Sequence, residues 1–182
     1  MIEIKGEKII LREFTREHLH HPNYFNWLRD VEVVPSIYRI EYMLNTDFAE
    51  VEEYYNNLVK NKQDMLFAIH KLEDDAFVGT QKIGHINWRT GLADMGVMIG
   101  DKTCWGKGIA KDAFRTAAKY AFEELSIRKL FGGTLSTNVA MCKCFESIGF
   151  KEEGRFRKQL LFKGEYVDHI AYGLFKDELI YE

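Results

Sequence analysis

Apolar and polar positions alternate in short runs along much of this chain, and several stretches switch to a helical period. Glu7 to Phe14 mixes β-branched and charged residues and reads as a first strand. Thr15 is placed to cap a short helical piece, and Tyr24 to Asp30, with Trp27 and Leu28, reads as a second. Val31 to Tyr42 has no period. Asp47 is a natural N-cap for a helix from Phe48 to about Lys60, whose apolar positions are Val51, Tyr54, Tyr55, Leu58 and Val59. Met65 to His70, Phe77 to Trp88 and Asp94 to Ile99 then read as strands. Their connections are too short for parallel crossovers, which predicts an antiparallel meander.

After Ile99 the pattern changes. Trp105-Gly106-Lys107-Gly108-Ile109-Ala110 opens a helix-like segment, Lys111 to Leu125. A strand, a glycine loop and a helix in that order make a phosphate cradle, because the first amides of a helix lack intrahelical partners and the helix dipole favours an anion there. Lys129 to Leu135 follows as a strand and Asn138 to Ser147 as a helix, with Gly149 suited to a left-handed end. Arg155 to Phe162 and Tyr166 to Phe175 close the chain as two strands joined at Lys163-Gly164-Glu165. The predicted order is β-α-α-β-β-β-α-β-α-β-β, an α/β (α+β) arrangement with a mixed sheet of about seven strands.

Length makes this a single domain over 1–182, able to bury roughly 70% of its unfolded surface. A net charge of -3 argues against a general nucleic-acid binder. Cys104, Cys142 and Cys144 form no C-x-x-C pattern and cannot all pair, so neither a disulfide framework nor a metal site is expected. The opening MIEIKGEKII lacks the features of a signal peptide, and no apolar run reaches membrane-span length, so a cytoplasmic location is expected.

The loop is not a nucleotide-triphosphate loop, because its lysine lies between the glycines and no Ser or Thr follows. Nor is it a dinucleotide loop, because Lys111 stands where a third glycine belongs. With its neighbours it resembles the GNAT superfamily of acetyl-coenzyme A-dependent N-acyltransferases, and more narrowly the RimJ/RimL-like branch. The resemblance runs from Ile10-Leu11-Arg12 to Tyr172-Gly173-Leu174. The superfamily's pyrophosphate loop, [QR]-x-x-G-x-[GA], corresponds to Trp105 through Ala110, with Trp105 departing from Gln/Arg. A second motif, N-x-x-S-x-x-x-x-E-K-x-G-F, is matched at Asn138, Glu146, Gly149 and Phe150 and departs at Met141 and Ser147.

The resemblance implies a GNAT fold with splayed central strands. It implies that acetyl-CoA is held by Val97, Met98 and Ile99 through backbone contacts, by the loop residues Trp105, Gly106, Lys107, Gly108, Ile109 and Ala110, and by Asn138. Asp94 sits where many relatives carry a glutamate and is the candidate base; it is also readable as a solvated residue at a strand start. His85 is the runner-up, with an unperturbed pKa suited to the role. The usual general-acid positions hold Phe145 and Met141, which leaves water, the amine itself, Tyr166 or Tyr172 to protonate the thiolate. Buried small-hydrophobe roles are expected for Cys142 and Cys144, not an acyl-enzyme.

Acceptor residues in the family lie in the N-terminal helices and last hairpin, here including Tyr24, Trp27, Tyr38, Arg39, Tyr42, Arg157, Lys158 and His169. Aromatics with arginines suit an amino-sugar nucleotide, the leading acceptor expectation. Ribosomal-protein N-termini and polyamines come next; the acidic stretch that includes Glu41, Glu50, Glu52 and Glu53 suits a cation. A non-catalytic acyl-CoA-binding module is the expectation from another class. The partner expected is a small-molecule amine, with no nucleic acid or membrane, and a homodimer is compatible.

Overall fold

The computed structural model describes residues 2–37, 47–61 and 63–181. Among the described residues, eight strands form one sheet, ordered β1-β2-β3-β4-β5-β6-β8-β7. They are β1 (Glu3–Lys5), β2 (Ile9–Glu13), β3 (Met65–Lys71), β4 (Phe77–Asn87), β5 (Leu92–Ile99), β6 (Lys129–Leu135), β7 (Lys151–Phe162) and β8 (Glu165–Phe175). Every pairing is antiparallel except β5 with β6. That parallel step is possible because a helix, α5 (Ile109–Glu123), makes the crossover.

The extra strand is β1, absent from the expected order. Ile2 and Ile4 pack against the main core, so the N-terminal segment gains a buried face and pairs Glu3 with Arg12 across a tight hairpin. The second strand therefore starts at Ile9 rather than Glu7, because the Glu7 and Lys8 amides turn out of the ladder to bind Asp112. The expected helix at Phe48–Lys60 forms as α4, with Asp47 accepting from Glu50 N at 3.0 Å in a capping box. Upstream, the described residues include the short helices α1 (Arg16–Leu19), α2 (Pro22–Trp27) and α3 (Val33–Ser36). The second begins earlier than expected because Pro22 serves as its first turn. The third occupies a stretch with no readable period.

Helices cover both faces. On one, α5 and α6 (Val139–Ile148) pack Ala113, Phe114, Ala117, Phe145 and Ile148 against Phe67, Ile83, Met95 and Leu130. The alanines let α5 approach the sheet closely. On the other face, α1 to α4 bury Leu19, Tyr24, Trp27, Val33 and Val51 over Leu66, Ala68, Phe77 and Met98. Successive β5 side chains thus serve different layers: Met95 belongs to the α5 side and Met98 to the α1–α4 side.

Candidate active site

The parallel pair β5–β6 is short. It joins Leu92 to Lys129, Ala93 to Leu130 and Asp94 to Phe131, and then stops. Beyond that point β5 stays on β4 as far as Ile99 opposite Gly79, while β6 stays on β8 as far as Leu135 opposite His169. Two strands held by different neighbours must part, and a notch opens between 95–99 and 132–135.

The backbone polarity of β5 follows from three contacts. The Met98 carbonyl faces Gly79 on β4, so closely that a Cβ at Gly79 would strike it. The Met95 carbonyl lies 3.2 Å from the Cβ position of Gly132 on β6, and the Ile99 carbonyl accepts from Trp105 Nε1 at 2.8 Å. Alternation along a strand then turns the Val97 N–H and C=O into the notch. Trp105 thus has a role its departure from Gln/Arg did not suggest: its indole fastens the loop to the end of β5.

Gly106 and Gly108 adopt φ of 72° and 80°, a region where other L-residues are strained. Gly108 is the N-cap of α5 and offers no side-chain acceptor, so the first helical amides keep their hydrogen-bonding capacity. Val97, Ile99, Trp105, Gly106, Gly108, Ile109, Ala110 and Asn138 line one groove that runs from the loop to α6. Met98 lies instead in the chamber on the α1–α4 side, and Lys107 is in the lining of neither. Asn138 caps α6 by accepting from Met141 N at 3.2 Å and donates to the Ser36 carbonyl at 3.3 Å, so it also ties α6 to α3. These features fit coenzyme A: open amides for a pyrophosphate, and an unpaired strand edge for the amide groups of a pantetheine arm.

The groove meets the chamber at Val97, Met141 and Ser36, which line both. Thr80, Lys82, Gly96, Gly133, Tyr24 and Tyr54 form much of the chamber. Gly96 leaves its middle open, with no atom of the described residues within 4 Å of its Cβ position. Lys82 was not among the expected site residues. It stands across β4–β5 from Gly96, folds over Gly84 and pairs with Asp64 at 2.9 Å, with Tyr54 5.6 Å from its ammonium. Burial pulls the Lys82 pKa down, but Tyr54 and Asp64 outweigh it and hold it above the ordinary lysine value. Gln81 and Ile83 on either side of it are both fully buried, a placement that no local sequence pattern signals.

Asp94 lies two residues from Gly96 on the same face, about 7 Å along the strand. Burial raises its carboxyl pKa above the usual range, although His85 and Lys82 oppose that. His85 Nδ1 is 3.5 Å from Asp94 Oδ2, brought there by a bulge in β4 where His85 has φ 49°. The two candidate bases are thus neighbours, and the exposed His85 links Asp94 to solvent.

Other expectations need correction. Trp27 is buried against Phe77 and Gly100, so it presents little surface to an acceptor. Tyr166 is exposed at the tip of the β7–β8 hairpin, and Tyr172 is stacked on Phe145 inside the core; neither lines the groove or the chamber. Tyr38, Arg39, Glu41 and Tyr42 lie outside the described residues. Cys144 lines the groove, but burial pushes its thiol up to about 11, which makes it a poor nucleophile.

Residues 8–151 match the family described as "Acetyltransferase (GNAT) domain". The chain is 32% identical over 120 residues to the probable N-acetyltransferase YjcK of Bacillus subtilis (strain 168), covering 65% of each chain. It is 28% identical over 144 residues to the uncharacterized N-acetyltransferase p20 of Bacillus licheniformis, covering 76% of this chain and 80% of that one. In structure it is similar to the spermidine N-acetyltransferase from Vibrio cholerae in complex with CoA and spermine, with a TM-score of 0.83 at 21% identity over 94% and 97% of the two chains. A parted β5–β6 pair beside a glycine-started helix, together with the family match over 8–151, places this chain in the GNAT family of acetyl-CoA-dependent N-acetyltransferases.

Proposed function

We propose that this chain transfers the acetyl group of acetyl-CoA to the primary amine of a small acceptor that enters the chamber under α1 to α4. The supporting observation is the meeting of two cavities at Val97, one ending at the glycine loop and the other lined by Lys82 and Gly96; Asp94 lies outside both linings, two residues before Gly96 on the same strand face. Bound acetyl-CoA supplies an activated thioester. The chain's own residues do the rest. The Val97 amide is turned into the notch to polarise a carbonyl, and Asp94 takes the amine proton through water and passes it to His85. No tyrosine occupies the family's acid position; Phe145 lines the chamber there. The departing sulfur is therefore protonated by water or by the amine's own proton.

Of the residues expected to favour an amino-sugar nucleotide, Trp27 is core, while Tyr38 and Arg39 lie outside the described residues. The likeness to a spermidine acetyltransferase favours a polyamine as the first to try. Among the described lining residues, Lys82 supplies the charged side chain, so a long polycation would lay its further charges outside the chamber. A protein N-terminus is the next reading; the putative ribosomal N-acetyltransferase YdaF of Bacillus subtilis (strain 168) is 33% identical over 107 residues.

The test is thiol release from acetyl-CoA with a panel of polyamines, amino-sugar nucleotides and N-terminal peptides. Turnover on a polyamine with little on the others is the expected result. Tight coenzyme A binding with no turnover on any amine would instead support a non-catalytic acyl-CoA-binding module.

A further inference from the structure

The turn between β1 and β2 reaches the glycine loop from more than ninety residues away in the chain. Lys8 Nζ donates to the Lys107 carbonyl at 3.0 Å and lies 3.4 Å from the Cβ position of Gly108. The turn that carries Lys8 is anchored. Asp112, only 3% exposed, accepts from the backbone amides of Glu7, Lys8 and Ile9 at 3.2, 2.7 and 3.2 Å. Asp112 stands in the first turn of α5, the helix whose start forms the cradle. Arg115, one turn further, pairs with Glu7 at 2.8 Å and with Asp112 at 3.5 Å. Gly6 completes the fit, because a Cβ there would come within 2.6 Å of Thr116 Oγ1 and 2.7 Å of Asp112 Oδ2.

An exposed lysine bonded to one carbonyl contributes little by itself. Its placement matters here for another reason. The negative charge of Asp112 is matched by three amides and Arg115, whereas among the described residues the acceptor of the Lys8 ammonium is a neutral carbonyl. The Lys8 backbone is held by the same helix whose amides face the cofactor groove, and its ammonium already rests on the loop, so part of its ordering cost is met before a ligand arrives.

We propose that Lys8 is a phosphate-binding cation of the coenzyme A site. It holds the Lys107–Gly108 peptide and supplies fixed positive charge beside the amides that take the pyrophosphate. The inference rests on coenzyme A being the cofactor and is independent of the acceptor.

Calorimetric binding of coenzyme A and of pantetheine, which lacks every phosphate, tests it on the unaltered protein, Lys8→Met and Lys8→Arg, with thermal melts to check folding. Lys8→Met is expected to weaken coenzyme A by about tenfold, the range of a charge-assisted contact, with pantetheine unchanged and Lys8→Arg close to the unaltered protein. Unchanged coenzyme A affinity in Lys8→Met would overturn the proposal. So would equal weakening of both ligands, since that reports a deformed groove and no phosphate contact. Failure of the unaltered protein to bind coenzyme A would remove the cofactor reading along with it.

Discussion

Burial raises the Asp94 carboxyl, and His85 and Lys82 pull it part of the way back. A base with a raised pKa is useful near neutral pH, and it has a stability consequence of definite sign. Between the ordinary carboxylate value and the raised one, the native state holds a proton that the unfolded chain has released. Stability therefore falls as pH rises through that window. Asp94→Asn is expected to cost on the order of a hundredfold in kcat while leaving the melting temperature at neutral pH equal or higher. Unchanged turnover would remove Asp94 from the mechanism.

His18 shows the opposite case. Its Nδ1 accepts from Thr15 N at 3.0 Å, and its Nε2 lies 3.1 Å from His70 Nε2. Burial, then His70, lowers its pKa from 6.5 to about 4. The unfolded chain then takes up a proton that the native state refuses, so stability is lost as pH falls from 6.5 to about 4. Melting temperature against pH should show this loss, and His18→Gln should flatten it.

At the scale of elements, the α5 start is the most exacting piece. Gly108 needs a positive φ, and space is not its constraint, since the nearest atom to its Cβ position is Lys8 Nζ at 3.4 Å. Gly108→Ala is expected to cost about 1 kcal/mol of stability through backbone strain and to weaken coenzyme A further by displacing the first amides. Chemical denaturation and a coenzyme A titration on the same variant separate the two effects. The helix α4 illustrates how an element becomes readable. Asp47, Glu50 and a regular apolar stripe are local signals, and the expected and observed bounds coincide. By contrast α3 has four residues and no side-chain cap, and what holds it is the burial of Val33 and Val34. The strand β1 is of the same kind, since three residues gain pairing only because β2 and the core are already beside them.

Across the whole molecule, the cofactor groove is built from β5, the loop and the starts of two helices, elements that touch both sides of the sheet's opening. Ligand bound across them should stabilise the native state by mass action. Coenzyme A at about a hundred times its Kd is expected to add about 2.7 kcal/mol, read as a rise in melting temperature. A shift no larger than that given by pantetheine at the same concentration would mean that the loop takes no phosphate.

Sequence by itself determined what depends on neighbours along the chain. The strand–loop–helix order around Gly106 and Gly108, the cap at Asp47, the meander of β3 to β5 and the absence of a tyrosine at Phe145 are all local patterns. Tertiary structure alone decided where distant residues meet. Parting of β5 from β6 depends on each strand being held by a different neighbour. Lys82 enters the chamber because Gly84 and Asp64 let it fold there, and Trp27 leaves the list of acceptor residues because Gly100 makes room to bury it. Lys8 reaches the loop only because Asp112 binds a turn more than a hundred residues earlier in the chain. Side-chain periodicity encodes which face a residue takes, but not which partner waits there.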